Sequence, residues 1–238
     1  MERPAAPRIN LRLIAPNLIT SLGMSLGVLA IFRALGGETV EAAWLIVVCV
    51  LIDKLDGFVA RRLDAQSDFG MQLDSLSDLV TFGVAPAVLL VTLMGDQAST
   101  LARIFSWGAA AAYVVAAALR LARFNVMTEE LGDNIFLGFP TTMCGGIVST
   151  GVLTIAAHDA LATMNPVLPF FMIALAFAMI SDIPIPKIHA LKNRVLNTLQ
   201  LVNMAAIFAF GALRVFPEYL LAMTMIYVIC GSGYCLLR

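Results

Sequence analysis

Eight times along the chain a run of about twenty predominantly apolar residues ends in a short segment of glycine, proline or charge. Runs of this length cross a hydrocarbon layer as helices. A transmembrane barrel would instead alternate apolar and polar residues over segments of about ten. Composition agrees: 60 % of the 238 residues are apolar, 13 % are charged, and the mean hydropathy is +0.90. Soluble domains carry about 45–50 % apolar and about 25 % charged residues. A water-soluble globule, a disordered chain and a coiled coil are excluded, and the formal net charge of −1 argues against a nucleic-acid partner. The fold class is all-α: a polytopic transmembrane helical bundle forming one domain over residues 1–238.

The expected spans are Pro16–Leu35, Val40–Leu63, Gly70–Met94, Leu101–Phe124, Phe139–His158, Val167–Ile185, Leu196–Leu213 and Glu218–Leu237. The breakers between them are Gly36-Gly37, Gly95-Asp96, Gly132-Asp133-Asn134, Pro184-Ile185-Pro186 and Pro217. Six spans is the fallback, with the last two as a hairpin that does not cross. With eight, Arg3, Arg8, Arg12, Lys54, Arg61, Arg62, Arg120, Arg123, Lys187, Lys192, Arg194 and Arg238 fall on one side. Arg33, Arg103 and Arg214 fall on the other. The richer side is cytoplasmic. Both termini are then cytoplasmic, in a multi-pass protein of the inner (cytoplasmic) membrane. Residues 1–15 form a basic cytoplasmic segment. It either lies along the membrane as a short amphipathic helix or only fixes topology. It carries no small-residue cleavage site of a leader. Trp44 and Trp107 are placed as interface anchors. Cys49, Cys144, Cys230 and Cys235 read as small buried hydrophobes, without metal-binding spacing. His158 and His189 read as solvated.

The second and third spans carry charge where membrane helices avoid it. Six of the sixteen acidic residues lie between Asp53 and Asp78, and ionisable groups in spans mark functional sites. At about 100° per residue, Asp53, Asp56, Gly57, Ala60 and Arg61 share an arc of about 140°, and Gly70, Asp74 and Asp78 one of about 80°. Two carboxylates from each helix can therefore meet across a seam. Asp64 and Asp68 fall in the connection and are expected to be solvated. Four converging carboxylates repel one another, and two basic residues cannot balance them. An all-oxygen set suits Mg²⁺, Mn²⁺ or Ca²⁺, and four acids can hold two such ions to clamp a reacting phosphoryl group. Gly57, Ala60 and Gly70 leave room for a ligand, and Arg61 can pair with its phosphate.

The pattern Asp53-x2-Asp56-Gly57-x2-Ala60-Arg61-x8-Gly70-x3-Asp74-x3-Asp78 resembles the signature of the CDP-alcohol phosphatidyltransferases. The resemblance implies two metal ions per active site, Mg²⁺ or Mn²⁺. Asp53 and Asp74 would bridge both, Asp56 would hold one and Asp78 the other. Asp78 would also accept the proton of the incoming alcohol. Gly57 and Arg61 would contact the CDP moiety, with Ser67 reaching a phosphate. Pro16-Asn17-Leu18-Ile19-Thr20 is similar to a motif that opens the family's first span, which would set Asn17 and Thr20 near the nucleotide. Members are commonly homodimers, and Gly23-x3-Gly27 would permit close helix contact.

Three further stretches resemble the serine-using branch of that family, found in bacteria and archaea. They are Leu76–Pro86, Ala118–Asn125 and Gly138-Phe139-Pro140. Phe139 and Thr141-Thr142 depart from that branch's pattern and bear on the acceptor pocket. Arg120 and Arg123 are i, i+3 neighbours that can bind an acceptor carboxylate, and Asn125 can add a hydrogen bond. Alternatively, both arginines mark the inner side and bind lipid headgroups. The expected reaction is transfer of the phosphatidyl group from CDP-diacylglycerol to L-serine, releasing CMP at the cytoplasmic interface among membrane lipids. Glycerol 3-phosphate, inositol phosphate or choline are the alternative acceptors, and an ether lipid is the alternative donor. A cation transporter is the alternative outside the enzymes.

Overall fold

The computed structural model describes residues 11–63, 67–94, 99–127, 135–158, 166–186 and 194–236. Arg3, Arg8, Asp64, Gly95-Asp96, Gly132-Asp133-Asn134, Lys187, His189, Lys192 and Arg238 lie outside the described residues, as does most of the basic N-terminal segment.

The described chain is helical apart from one short ribbon. The helices are α1 (Leu11–Leu35), α2 (Thr39–Arg62), α3 (Asp68–Asp78), α4 (Ala85–Met94), α5 (Thr100–Met127), α6 (Thr141–Ala157), α7 (Leu168–Ile180), α8 (Arg194–Leu213) and α9 (Pro217–Leu236). A π turn, Leu79–Val84, joins α3 to α4 in one continuous rod. Among the described residues there are thus eight rods, at the places of the eight apolar runs. By length and composition, Ile14–Leu35, Asp68–Met94 and Thr100–Val126 suffice to cross a membrane. Their outward faces are the apolar surface a membrane protein turns to lipid: Leu18, Leu22 and Phe32 on α1, and Leu101, Ile104 and Val115 on α5, are all exposed.

Local chemistry explains the breaks. Gly37 sits at φ +83°, closing the tight turn between α1 and α2 at little steric cost. The sixth run ends as a helix at Ile180, short of the expected Ile185. Pro184 and Pro186 cannot continue a helix. They lie instead in a three-residue strand, β2 (Pro184–Pro186), that pairs antiparallel with β1 (Ile135–Leu137), Phe136 opposite Ile185. A two-stranded ribbon is all edge, so proline's missing donor is tolerated there. The π turn has a similar cause. Pro86 has no N–H to give the Phe82 carbonyl four residues back; the buried Tyr113 hydroxyl donates to it instead, at 3.0 Å.

Two apolar clusters fill the bundle. One gathers Ala30, Ala34 and Ala42–Val47 with Phe82 and Leu89; the other gathers Tyr113, Ala116 and Ala117 with Ile147, Met172 and Met179. Trp44 belongs to the first and is buried, not at an interface. Trp107 is exposed beside Arg103. Cys49 and Cys144 are buried, but Cys230 is exposed on the outer face of α9, where its neighbours face outward too. Gly23 and Gly27 serve contacts inside the chain. A methyl at Gly23 would stand 3.3 Å from Ile52, and one at Gly27 would overlap Thr81.

Candidate active site

Asp53 and Asp56 lie in the last turns of α2, and Asp74 and Asp78 on successive turns of α3. α1 packs against both helices, and its glycines bring them close. Carboxylate oxygens of Asp53, Asp56 and Asp74 all fall within 4.8 Å of one another. That is a donor set of hard oxygens, close enough to share one cation. Asp78 is outside this trio but lines a small crevice with all three. It is buried, and its Oδ2 lies 3.5 Å from the Thr142 hydroxyl.

Few protein cations offset these charges. Lys54 pairs with Asp53 at 2.8 Å. Arg120, itself buried, is an electrostatic neighbour of Asp78. The Thr20 hydroxyl lies 2.9 Å from Asp56 Oδ2 and 3.0 Å from the Pro16 carbonyl, so α1 orients an α2 carboxylate. Ser77 ties α3 to α1 by donating to the Thr20 carbonyl at 3.3 Å.

In front of the acids opens a cavity of about 590 Å³, within the usual range of about 300–1,000 Å³ for a small-molecule site. Asn17, Thr20, Asp56, Gly57, Ala60, Arg61, Ser67, Gly70 and Asp74 line it. The structure thus brings together every residue expected around the CDP group. Gly57 makes space for the Arg61 side chain, which a methyl would approach to 3.4 Å. Gly70 allows the α1–α3 approach, for its methyl would stand 3.1 Å from Ser67 Oγ and 3.3 Å from Asn17 Oδ1. Ser67 is the N-cap of α3, its hydroxyl accepting from the Gly70 amide at 3.1 Å.

The expected acceptor residues divide. Arg120 donates to the Thr141 hydroxyl at 3.3 Å and stacks over Phe124, whose ring lines the cavity. Arg123 is turned to the ribbon. It donates to the carbonyls of Leu137, Ile180 and Ser181 at 3.0–3.2 Å and pairs with Asp182 at 3.0 Å. It thereby satisfies carbonyls at the C-terminus of α7 that have no partner within the helix. Gly138, at φ +73°, passes under it, where any methyl would overlap the Met179 carbonyl. Asn125 donates to Ser75 at 2.9 Å, fastening the end of α5 to α3.

Pro16, Asp68, Met71 and Phe124 line the cavity beyond the residues expected there. Asp68 is exposed, as expected of a solvated residue, but it opens α3 instead of lying in a connection. Helical spacing could have found Asp68, Met71 and Phe124, since Asp68, Met71 and Asp74 recur every three residues and Phe124 is four after Arg120. His158 is exposed and paired with Glu218 at the opposite end of the bundle, as a solvated residue should be.

Residues 13–180 match the family model described as CDP-alcohol phosphatidyltransferase. Among curated proteins, the chain is 33 % identical over 202 residues to a CDP-diacylglycerol–serine O-phosphatidyltransferase of Helicobacter pylori, covering 84 % of each chain. It is 32 % identical over 225 residues to the protein of that name from Mycobacterium tuberculosis, covering 92 % of this chain and 76 % of the other. It is 35 % identical over 179 residues to an archaetidylserine synthase of Methanothermobacter thermautotrophicus, covering 74 % and 71 %.

Proposed function

The chain belongs to the CDP-alcohol phosphatidyltransferase family, and on that premise we propose that it transfers the phosphatidyl group of CDP-diacylglycerol to L-serine, releasing CMP. The observation that carries this reading is the trio Asp53, Asp56 and Asp74, of which Asp56 and Asp74 line a cavity whose wall presents Arg61. Names of relatives at 32–33 % identity over most of this chain support serine as the acceptor.

The carboxylates of Asp53, Asp56, Asp74 and Asp78 would hold two divalent ions, Mg²⁺ or Mn²⁺, supplying charge neutralisation for the pyrophosphate and the departing CMP oxygen. Arg61 pairs with a phosphate of the CDP group. Asn17, Thr20, Ser67 and the bare faces of Gly57, Ala60 and Gly70 shape its bed. Asp78 takes the proton of the serine hydroxyl as the new oxygen–phosphorus bond forms and the bond to CMP breaks. A carboxylate is a weak base for an alcohol, so positioning supplies much of the acceleration. Arg120, beside Asp78 and facing Phe124, receives the serine carboxylate; Asn125 and Arg123 hold the elements around it.

The acidic end of the bundle faces the cytoplasm of a multi-pass inner-membrane protein, with all eight rods crossing. The excess of basic residues on that side supports this. The acyl chains of the donor stay in the bilayer beside the exposed apolar faces. The protein works as a homodimer, with an interface away from Gly23 and Gly27, which are engaged within the chain.

Purified protein given labelled CDP-diacylglycerol and a panel of alcohols tests the reading. Phosphatidylserine and CMP should form in equal amounts, only with a divalent metal. Release of CMP to another alcohol in preference to serine overturns the acceptor. No release overturns the enzyme, including against a transporter. A CDP-activated ether lipid belongs in the panel because one relative is an archaetidylserine synthase.

A further inference from the structure

Beside the open cavity, and sharing Thr20, Asp56 and Asp74 with it, lies a small crevice of about 10 Å³. That is near the volume that admits one water molecule, about 10–15 Å³. Asp53, Asp56, Asp74 and Asp78 line it together with Thr81.

Thr81 differs from the threonines that lie beyond the first turn of their helices. Thr20, Thr92, Thr150, Thr154, Thr198 and Thr224 each place the hydroxyl 2.7–3.0 Å from the carbonyl four residues back. Thr81 is 1 % exposed, and its Oγ1 is buried without a hydrogen-bond partner among the described residues. It sits in the π turn, where the backbone ladder shifts from four residues to five, and no bond to the Ser77 carbonyl forms. Gly27 of α1 clears the space over it: a methyl there would overlap Thr81 Oγ1 and stand 3.0 Å from Thr81 Cα. The fold thus frees one buried hydroxyl on a residue that shares a crevice with four carboxylates. A buried hydroxyl without a partner is costly, and carboxylates offer only acceptors. One water satisfies both. It accepts from Thr81 and donates its two hydrogens to carboxylate oxygens.

We propose that Thr81 holds a single buried water against carboxylate oxygens that line the crevice, and so acts as a positioning residue for the cation site of the aspartate cluster. Oxygens fixed in this way leave the remaining ones to a cation. The proposal rests on the reading of the aspartates as a divalent-metal site.

The test is Mn²⁺ titration of the purified full chain by electron paramagnetic resonance, without substrate. Thr81→Val keeps the shape and removes the hydroxyl. It should weaken Mn²⁺ binding by roughly tenfold or more, as loss of groups that orient metal ligands commonly does. Thr81→Ser should restore most of the affinity. The rate lost in Thr81→Val should return at saturating Mn²⁺ with the KM for CDP-diacylglycerol unmoved, which mere damage to packing would not allow. Affinity within about twofold of wild type in Thr81→Val overturns the proposal, twofold being well below the roughly tenfold effect of a lost orienting group. Should the valine variant not fold, wild-type affinity in Thr81→Ala overturns it equally. Asp74→Asn separates the two readings. If it loses Mn²⁺ while Thr81→Val does not, this proposal alone falls; if it binds as wild type does, the metal site falls too.

Discussion

The two ends of the bundle treat acidic residues in opposite ways. At one end Glu38 pairs with Arg33, Glu41 with Arg214 at 2.9 Å, and Glu218 with His158 at 3.0 Å, all on exposed surface. At the other, Asp53 has Lys54 and the exposed Asp182 has Arg123, but Asp56, Asp74 and Asp78 have no ion-pair partner among the described residues, and Asp56 and Asp78 are buried. Exposed pairs contribute only about 0–1 kcal/mol each. Buried, unbalanced carboxylates are destabilising unless something else neutralises them. The first end is what a stable helical bundle needs at its surface. The second is a cluster of carboxylates short of cations, a shortage the proposed metal ions would make good.

Substitution should break this contrast unequally. Asp56→Asn or Asp74→Asn should lower CMP release from CDP-diacylglycerol on the order of 10³-fold, the scale of losing a preorganised electrostatic group. The proteins should still fold, since each change removes an unbalanced charge. Asp78→Asn should abolish turnover yet retain CDP-diacylglycerol binding, read by isothermal titration; a near-normal rate would remove its role as proton acceptor. Arg120→Ala should raise the serine KM about tenfold, roughly one charge-assisted hydrogen bond, and leave that for the donor lipid nearly unmoved. Arg123→Ala should shift both constants together and lower Tm, because its guanidinium fastens the ribbon to α7. Gly138→Ala should destabilise by about 1–3 kcal/mol in thermal or denaturant unfolding, through strain and overlap at a left-handed position. Glu41→Gln, at the far end, should change stability by less than about 1 kcal/mol and leave CMP release as it was.

The site was more legible in the sequence than the fold around it. Asp53, Asp56, Asp74 and Asp78 stand at helical spacing within two apolar runs, so periodicity and the cost of buried charge are enough to bring them together. The same holds for the eight rods, whose limits follow from Gly36-Gly37, Ser67 and Pro217. Other features depend on partners remote in the chain. The ribbon joins strands about fifty residues apart, each only three residues long, too short to carry alternation. The π turn answers Pro86 but needs Tyr113, far along α5, to satisfy the carbonyl it leaves. Arg123 reads like Arg120 as a basic residue on a helix face. Only the arrival of the α7 carbonyls separates their roles. Trp44 looks like an interface anchor until it is found buried in a core cluster drawn from several helices. Thr81 lies in an apolar context that gives no hint of a free hydroxyl.

In the proposed function α2 and α3 together bind paired dications at their shared acidic end. Anomalous diffraction from crystals grown with Mn²⁺ tests this most directly. Two manganese peaks should lie between Asp53, Asp56, Asp74 and Asp78, and both should vanish in Asp74→Asn. A map with those side chains apart, or with no peak between them at saturating Mn²⁺, contradicts the account.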